Sequence, residues 1–154
     1  MERILIRSSN WLGDAVMSVP AVRAIKLGHP GAHIAVLTPE KLAAVWKLVA
    51  EVDEVLVFSD VSGKGLKRKL SGMRQIFSVA RLIRGGGFGT VVVFPNSLRT
   101  GLEVWLARIP IRAGYPGHAP RALLLNRVFS RGKVSGEIAP VGPAVHQVHH
   151  YLAL

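Results

Sequence analysis

The chain has 154 residues, of which 49% are hydrophobic and none is cysteine. This length suffices for one domain with a sizeable core and excludes two full domains, while the lack of thiols excludes disulfides and thiolate metal sites. The net charge of +11 is uneven, because residues 1–60 carry six Lys and Arg against seven acids and residues 61–154 carry fourteen against two. Such a basic second part is typical of a surface for polyanions, whether nucleic acid, anionic lipid or a phosphorylated glycan.

The start of the chain has an acidic Glu2 and a short β-like run, without the long apolar core of a signal peptide. Lys26, Lys47 and Arg108 interrupt the apolar segments, so no stretch approaches the roughly 18 apolar residues of a membrane-spanning helix. The sequence therefore predicts a soluble, cytoplasmic domain.

Strands and helices are predicted to alternate along the chain. The apolar run at 3–7 indicates a buried strand, and Val16, Val19, Val22 and Ile25 recur behind it at helical spacing. The predicted strands are 3–7, 33–37, 54–58, 90–94 and 111–115, and the predicted helices are 14–27, 39–49, 73–84 and 98–109. This alternation predicts one domain over 1–154 of the α/β class, with a Rossmann-like parallel sheet flanked by helices. Ligands of such a sheet gather beyond the carboxyl ends of its strands.

Local signals refine these elements. Thr38 is expected to act as the N-cap of the helix at 39–49, because its hydroxyl suits that position. Trp46 and Trp105 occupy helical positions that we expect to face the core. Segment 59–72 is rich in Gly, Ser and Lys and lacks apolar periodicity, so we interpret it as a mobile basic loop.

The loop after the first predicted strand is the best candidate for a functional site. It lacks the glycines of a dinucleotide-binding turn and the lysine of a phosphate-binding P-loop. Ser8, Ser9 and Asn10 place small polar groups near a helix N-terminus, where free backbone N–H groups favour an anion. Asp14 follows at the helix start, where the residues alone favour a capping or first-turn acid over a catalytic group.

Two separated blocks of sequence carry a family resemblance. SSNWLGDAVMSVPAVRAIK, at 8–26, resembles the N-terminal signature of the ADP-heptose:lipopolysaccharide heptosyltransferases, with a Ser-containing loop, Gly-Asp and a helix with an early Pro. FPNSLRTGLEVWLARIPIRAGYPGHAPRALLLNRVF, at 94–129, is similar to the heptosyltransferase II pattern in the same order. The resemblance spans nearly the whole chain, from Ile4 to Tyr151.

The resemblance implies the N-terminal domain of a GT-B glycosyltransferase, in which this domain binds the acceptor and a C-terminal domain outside this sequence binds the nucleotide-sugar. It implies inverting transfer of heptose from ADP-heptose to a lipid A-Kdo-heptose acceptor, with Asp14 as general base and no metal or cofactor. It also implies that Ser9, Asn10 and Gly13 approach the donor phosphates.

Further polar residues are candidates for binding the anionic acceptor. The basic run in 59–72 would grip its phosphates and carboxylates, although a solvated loop is an equal alternative. Residues after the fourth strand match the second block, and their alternative is a helix cap beside an exposed arginine. The expected acceptor-binding residues are Lys64, Lys67, Arg68, Lys69, Asn96, Ser97, Arg99, Arg112 and Arg121. Peripheral contact with the inner membrane would accompany such an acceptor.

Two other classes of protein remain as alternatives. A nucleic-acid binder would explain the basic half, but no aromatic residues interleave with the basic run and no nucleic-acid module is present, so no nucleic-acid partner is expected. A module that binds anionic lipid without catalysis is the other. His146, His149 and His150 have no carboxylate beside them, and we expect no metal site there.

Overall fold

The computed structural model describes residues 1–59, 65–117 and 119–128. Within them, six strands form one parallel sheet, which confirms the predicted α/β class. The strands are β1 (Arg3–Arg7), β2 (His33–Pro39), β3 (Glu54–Phe58), β4 (Thr90–Val93), β5 (Ile111–Gly114) and β6 (Arg127–Val128). Their spatial order is β3-β2-β1-β4-β5-β6.

Helices cover both faces of the sheet. They are α1 (Leu12–Met17), α2 (Val19–Gly28), a 3₁₀ turn (Glu40–Leu42), α3 (Ala43–Lys47), α4 (Gly65–Gly85), α5 (Leu98–Leu106) and α6 (Ala119–Ala122). Among the helices of the described ranges, none is both long and apolar enough to cross a membrane.

Alternate side chains of the strands enter two cores. Ile4 and Ile6 of β1 face a core that α2 and α3 close with Val22 and Trp46. Leu5 points to the opposite face, into the core that α4 and α5 complete. Both cores are fully buried at β1, which explains why the strand reads as a continuous apolar run rather than an alternating one.

The chain order reverses direction beside β1. Successive strands run outward from β1 to β3, and the chain then returns to place β4 against the other side of β1, with Leu5 opposite Val91. A crevice forms beyond the carboxyl ends of the two strands at such a switch point. The loop that begins at Ser8 and the turn that begins at Phe94 both leave the sheet there.

Three of the predicted elements are wrong in their details. The helix expected at 14–27 is two helices, because it breaks at the buried Ser18, whose Oγ donates to Ala15 O (2.8 Å), and Pro20 then fits the first turn of α2. Thr38 lies buried within β2 instead of capping a helix, because the strand continues to Pro39 and a 3₁₀ turn precedes α3.

The basic loop expected at 59–72 is also wrong over part of its length, because α4 already begins at Gly65; residues 60–64 lie outside the described ranges. Trp46 is fully buried as predicted. Trp105 is 48% exposed, so its prediction as a core residue was wrong.

Candidate active site

The loop after β1 is fixed from both sides where it leaves the sheet. Ser8 N donates to Leu37 O of β2 (3.0 Å), and Phe94 N donates to Arg7 O (3.2 Å). The Ser8 hydroxyl accepts a hydrogen bond from Trp46 Nε1 (3.1 Å) and is fully buried. Ser8 therefore anchors the loop and does not face a ligand.

Ser9 and Asp14 meet across this loop. Ser9 Oγ donates to Asp14 Oδ2 (3.2 Å) and accepts from Trp11 N (3.3 Å). Asp14 lies in the first turn of α1 and is half-buried, and no side chain caps that helix. Among the described residues, the bond from Ser9 is the only hydrogen bond to the Asp14 carboxylate. The bond orients the carboxylate through Oδ2, and Oδ1 has no hydrogen bond from another described residue.

The surroundings of Asp14 are open on the side of the helix start. Trp11 is 75% exposed beside it, and a side chain added at Gly13 would meet nothing within 4 Å. Asn10 is exposed as well. Of the residues expected to approach donor phosphates, Asn10 and Gly13 thus lie at the surface of the crevice, whereas Ser9 is only 5% exposed and is engaged with Asp14.

A buried ion pair, which sequence reasoning missed, supports the loop from below. Arg7 Nε lies 2.9 Å from Glu103 Oε2 of α5, and the two side chains are 1% and 0% exposed. The same guanidinium donates from NH1 to Ser8 O (2.7 Å) and to Asn10 Oδ1 (3.3 Å), and its Cζ lies 4.5 Å from the centre of the Phe58 ring. Arg7 therefore determines the path of the loop and the orientation of Asn10.

The pair extends into a network that includes an expected acceptor ligand. Arg99 Nε donates to the second oxygen of Glu103 (3.2 Å), and Arg99 NH2 donates to Gln75 Oε1 of α4. One buried carboxylate thus serves two guanidinium groups, which leaves a net positive charge at this edge of the sheet. The sequence contains one indication of this network, because Glu103 is the only acidic residue between residues 61 and 128, a segment rich in arginine and lysine.

The turn after β4 lies at the same edge. Asn96 is exposed, and Ser97 is the N-cap of α5, with its Oγ accepting from Thr100 N (3.3 Å). Ser97 therefore acts as a helix cap, which was the alternative to its predicted role in acceptor binding. The Asn96 side chain stays at the surface, in the turn that follows β4.

Arg121 lies behind this turn and is 1% exposed. Its NH2 donates to Pro95 O (2.7 Å), while Nε and NH1 have no hydrogen-bond partner among the described residues. Side chains added at Gly101, Gly114 or Gly117 would meet Arg121 within 4 Å, so these glycines make room for it. Burial lowers the pKa of Arg121 from its usual value. In this position the guanidinium supports the turn and does not open onto the crevice.

Of the remaining expected acceptor residues, Arg112 alone has a described side chain, and that side chain is not brought to the site. Arg112 lies one residue from the amino end of β5, where Nε donates to Leu124 O (2.8 Å) and NH1 to Ile109 O (2.5 Å). This places it away from the carboxyl edge and in a structural role. Lys64 lies outside the described residues, as do the side chains of Lys67, Arg68 and Lys69, whose backbone belongs to the start of α4.

The curated proteins that this chain resembles are heptosyltransferases. No model of a known protein family matches the chain. Lipopolysaccharide heptosyltransferase 2 of Salmonella typhimurium and that of Escherichia coli K12 are each 28% identical over 125 residues, which cover 79% of this chain and 33% of each relative. Lipooligosaccharide heptosyltransferase 2 of Haemophilus ducreyi is 26% identical over 122 residues. The chain thus spans about a third of the length of the curated relatives that it matches.

Solved structures share the fold. The E. coli ADP-heptose lps heptosyltransferase II superposes with a TM-score of 0.72 at 24% identity, over 100% of this chain and 40% of that one. A family 9 glycosyl transferase from Veillonella parvula gives a TM-score of 0.78 at 21% identity, over 98% and 39%. In sequence and in fold, the chain is therefore similar to part of a heptosyltransferase of the GT-B glycosyltransferase type.

Proposed function

We propose that this chain is the acceptor-binding part of a glycosyltransferase that moves heptose from ADP-heptose to the inner core of lipopolysaccharide. The observation that carries the proposal is the Asp14 carboxylate, held by Ser9 at the carboxyl edge of the sheet in a chain similar to heptosyltransferases. The relatives are named for heptose transfer, and one solved neighbour, the E. coli heptosyltransferase WaaC, is described with ADP.

The proposed chemistry is inverting transfer. An alcohol is a weak nucleophile while it keeps its proton, so Asp14 accepts the proton of the attacking acceptor hydroxyl. The new C–O bond forms at the anomeric carbon of the heptose as the bond to the phosphate breaks, and ADP leaves with the electron pair. The bond from Ser9 supports this assignment, because it fixes the orientation of the carboxylate before an acceptor binds.

The donor phosphates are proposed to lie over the β1 loop. Asn10 can donate from its amide because Arg7 binds its carbonyl oxygen, and Gly13 leaves open space above the backbone. The leaving charge would be stabilised by cationic groups rather than by a metal ion. The nearby network of Arg7, Glu103 and Arg99 is consistent with this, since it has a net charge of +1.

The acceptor is proposed to lie across the opposite wall of the crevice. Asn96 and Arg99 follow β4 at the carboxyl edge of the sheet, and the basic residues at the start of α4 follow Lys64 in the sequence. Phosphates and Kdo carboxylates of a lipid A-Kdo-heptose acceptor are the anions that such side chains bind. We expect the enzyme to act in the cytoplasm, at the surface of the inner membrane.

An assay of the full-length protein that carries this chain tests the proposal. The protein is incubated with ADP-heptose and purified lipid A-Kdo-heptose, and both released ADP and the mass of the acceptor are measured. We expect ADP and an acceptor that is heavier by one heptose in equal amounts. ADP without a heavier acceptor, or neither product, would contradict the proposal.

A further inference from the structure

The outward face of α4 carries an apolar stripe that no described residue covers. Leu70, Met73 and Phe77 are 58%, 59% and 58% exposed. Their spacings of three and four residues place them on one face of the helix. Arg74 and Arg81 are also exposed, and each lies four residues after Leu70 or Phe77, on the same side. We call these five residues the α4 stripe.

The inward face of the same helix is already in use. Val79, Ala80 and Ile83 are at most 4% exposed and belong to the core beneath the sheet. A soluble helix ordinarily pairs such an apolar face with a polar one on the opposite side. The exposed apolar residues of the α4 stripe are therefore expected to contact a partner. Singly exposed apolar residues at helix ends, such as Leu27 and Leu48, are common on protein surfaces and need no partner.

The charge of α4 indicates the chemistry of that partner. Its 21 residues include six Lys and Arg and no Asp or Glu. Apolar side chains flanked by cations are typical of a helix that lies in the interface of an anionic bilayer, where the apolar groups enter the headgroup boundary and the cations contact phosphates. We propose that the α4 stripe docks this domain on an anionic lipid surface.

The position of the stripe relative to the site supports the proposal. Gln75, between Arg74 and Phe77 in the helix, binds Arg99 and the Ser59 backbone at the carboxyl edge of the sheet. The part of α4 that carries the stripe thus lies beside the carboxyl edge of the sheet, and docking through the stripe would keep that edge near the lipid surface. This inference rests on the proposed function for its purpose, because only a lipid-anchored acceptor needs the enzyme there.

Vesicle co-sedimentation of the full-length protein tests the docking surface. The probes are vesicles of phosphatidylcholine alone and of phosphatidylcholine with phosphatidylglycerol. We expect binding to the anionic vesicles only, and a loss of roughly tenfold or more in Met73→Ser/Phe77→Ser, because two apolar side chains no longer leave water. Arg74→Gln/Arg81→Gln should weaken binding and its dependence on salt. Leu27→Ser/Leu48→Ser is the matched apolar control and Lys47→Gln the charge control, and both should bind as the wild type does.

Transfer assays separate this inference from the function itself. Met73→Ser/Phe77→Ser should lose transfer to acceptor embedded in anionic vesicles and keep transfer to the same sugar freed of its acyl chains. The docking surface is contradicted if this variant binds anionic vesicles as tightly as the wild type does, or if the wild type binds neutral and anionic vesicles equally. Neither result contradicts the transferase function. If the wild-type protein binds anionic vesicles but transfers heptose to neither acceptor, the proposed transferase function is contradicted and the docking surface is not. An unchanged thermal unfolding transition would confirm that the variants fold.

Discussion

Arg7 and Glu103 show how one buried pair supports the proposed site. Both side chains are at most 1% exposed, and the arginine also binds Ser8 O and Asn10 Oδ1. Removing one partner of such a pair leaves an uncompensated buried charge, which costs about 3–5 kcal/mol. Arg3, which is also on β1, forms an ion pair with Glu54 of β3. The side chains of this pair are about one-third exposed, so it is a matched comparison for the buried pair.

We therefore predict different losses of stability for the two carboxylates. Glu103→Gln should lower the free energy of unfolding by about 3–5 kcal/mol, whereas Glu54→Gln should lower it by about 1 kcal/mol or less. Urea denaturation of the two variants and the wild type measures both values. Equal losses would contradict the structural importance assigned to the buried pair.

The same residues show what the sequence could not supply. The resemblance and the Gly-Asp sequence led to the prediction of Asp14 and Asn10 as site residues, and the fold places both in the loop or first turn after β1. The bond between Ser9 and Asp14, and the pairing of Arg7 with Glu103 across 96 positions, depend on the fold bringing distant segments together. Arg112 and Arg121 were selected by the same family pattern, yet neither guanidinium faces the crevice, because carbonyl oxygens of nearby turns bind both of them.

Among the elements, β2 and the turn before β3 are joined by a carboxylate. Asp53 Oδ2 accepts from Ile34 N (2.8 Å) and from Lys26 Nζ (2.9 Å). The backbone bond from Ile34 and then the bond from Lys26 hold the pKa of Asp53 below its usual value. The charged form is therefore favoured in the folded state, which contributes stability above the unfolded pKa of about 3.9.

This gives a pH-dependent prediction for Asp53→Asn. The variant should be less stable than the wild type at pH 7, and the difference should shrink as the pH falls below about 4, because the wild type then loses the contribution of its carboxylate. Urea denaturation at pH 7 and at pH 3 measures the difference. A difference of the same size at both pH values would contradict the assigned cause.

Element boundaries depended on contacts that a linear pattern does not contain. Apolar runs predicted the strands well, because both faces of this parallel sheet are buried. The break at Ser18 was missed because the spacing of the apolar residues continues across it. The start of α4 was interpreted as a loop because its sequence is rich in Lys, Gly and Ser and lacks apolar periodicity, although a helix extends from Gly65.

At the scale of the whole molecule, the uneven charge is expected to attract the acceptor. Neutralising Lys64, Lys67, Arg68 and Lys69 to Gln in the full-length protein should raise the acceptor KM and flatten its dependence on salt, while kcat stays near the wild-type value. Steady-state kinetics at two salt concentrations measure this. Lys47→Gln, in the less basic first part of the chain, is the control. If the fourfold substitution leaves the acceptor KM and its salt dependence unchanged, these four residues do not bind the acceptor.

The proposed role of Asp14 as the general base can be tested with one substitution. Asp14→Asn in the full-length protein keeps the size of the side chain and removes the base, so kcat for heptose transfer should fall by about 10²–10⁴. The Asp14→Asn variant should still bind ADP-heptose and the acceptor. The control is Glu2→Gln, which removes a carboxylate just before the amino end of β1 and should leave transfer at the wild-type rate. Turnover by Asp14→Asn at the wild-type rate would contradict the assignment of Asp14 as the general base.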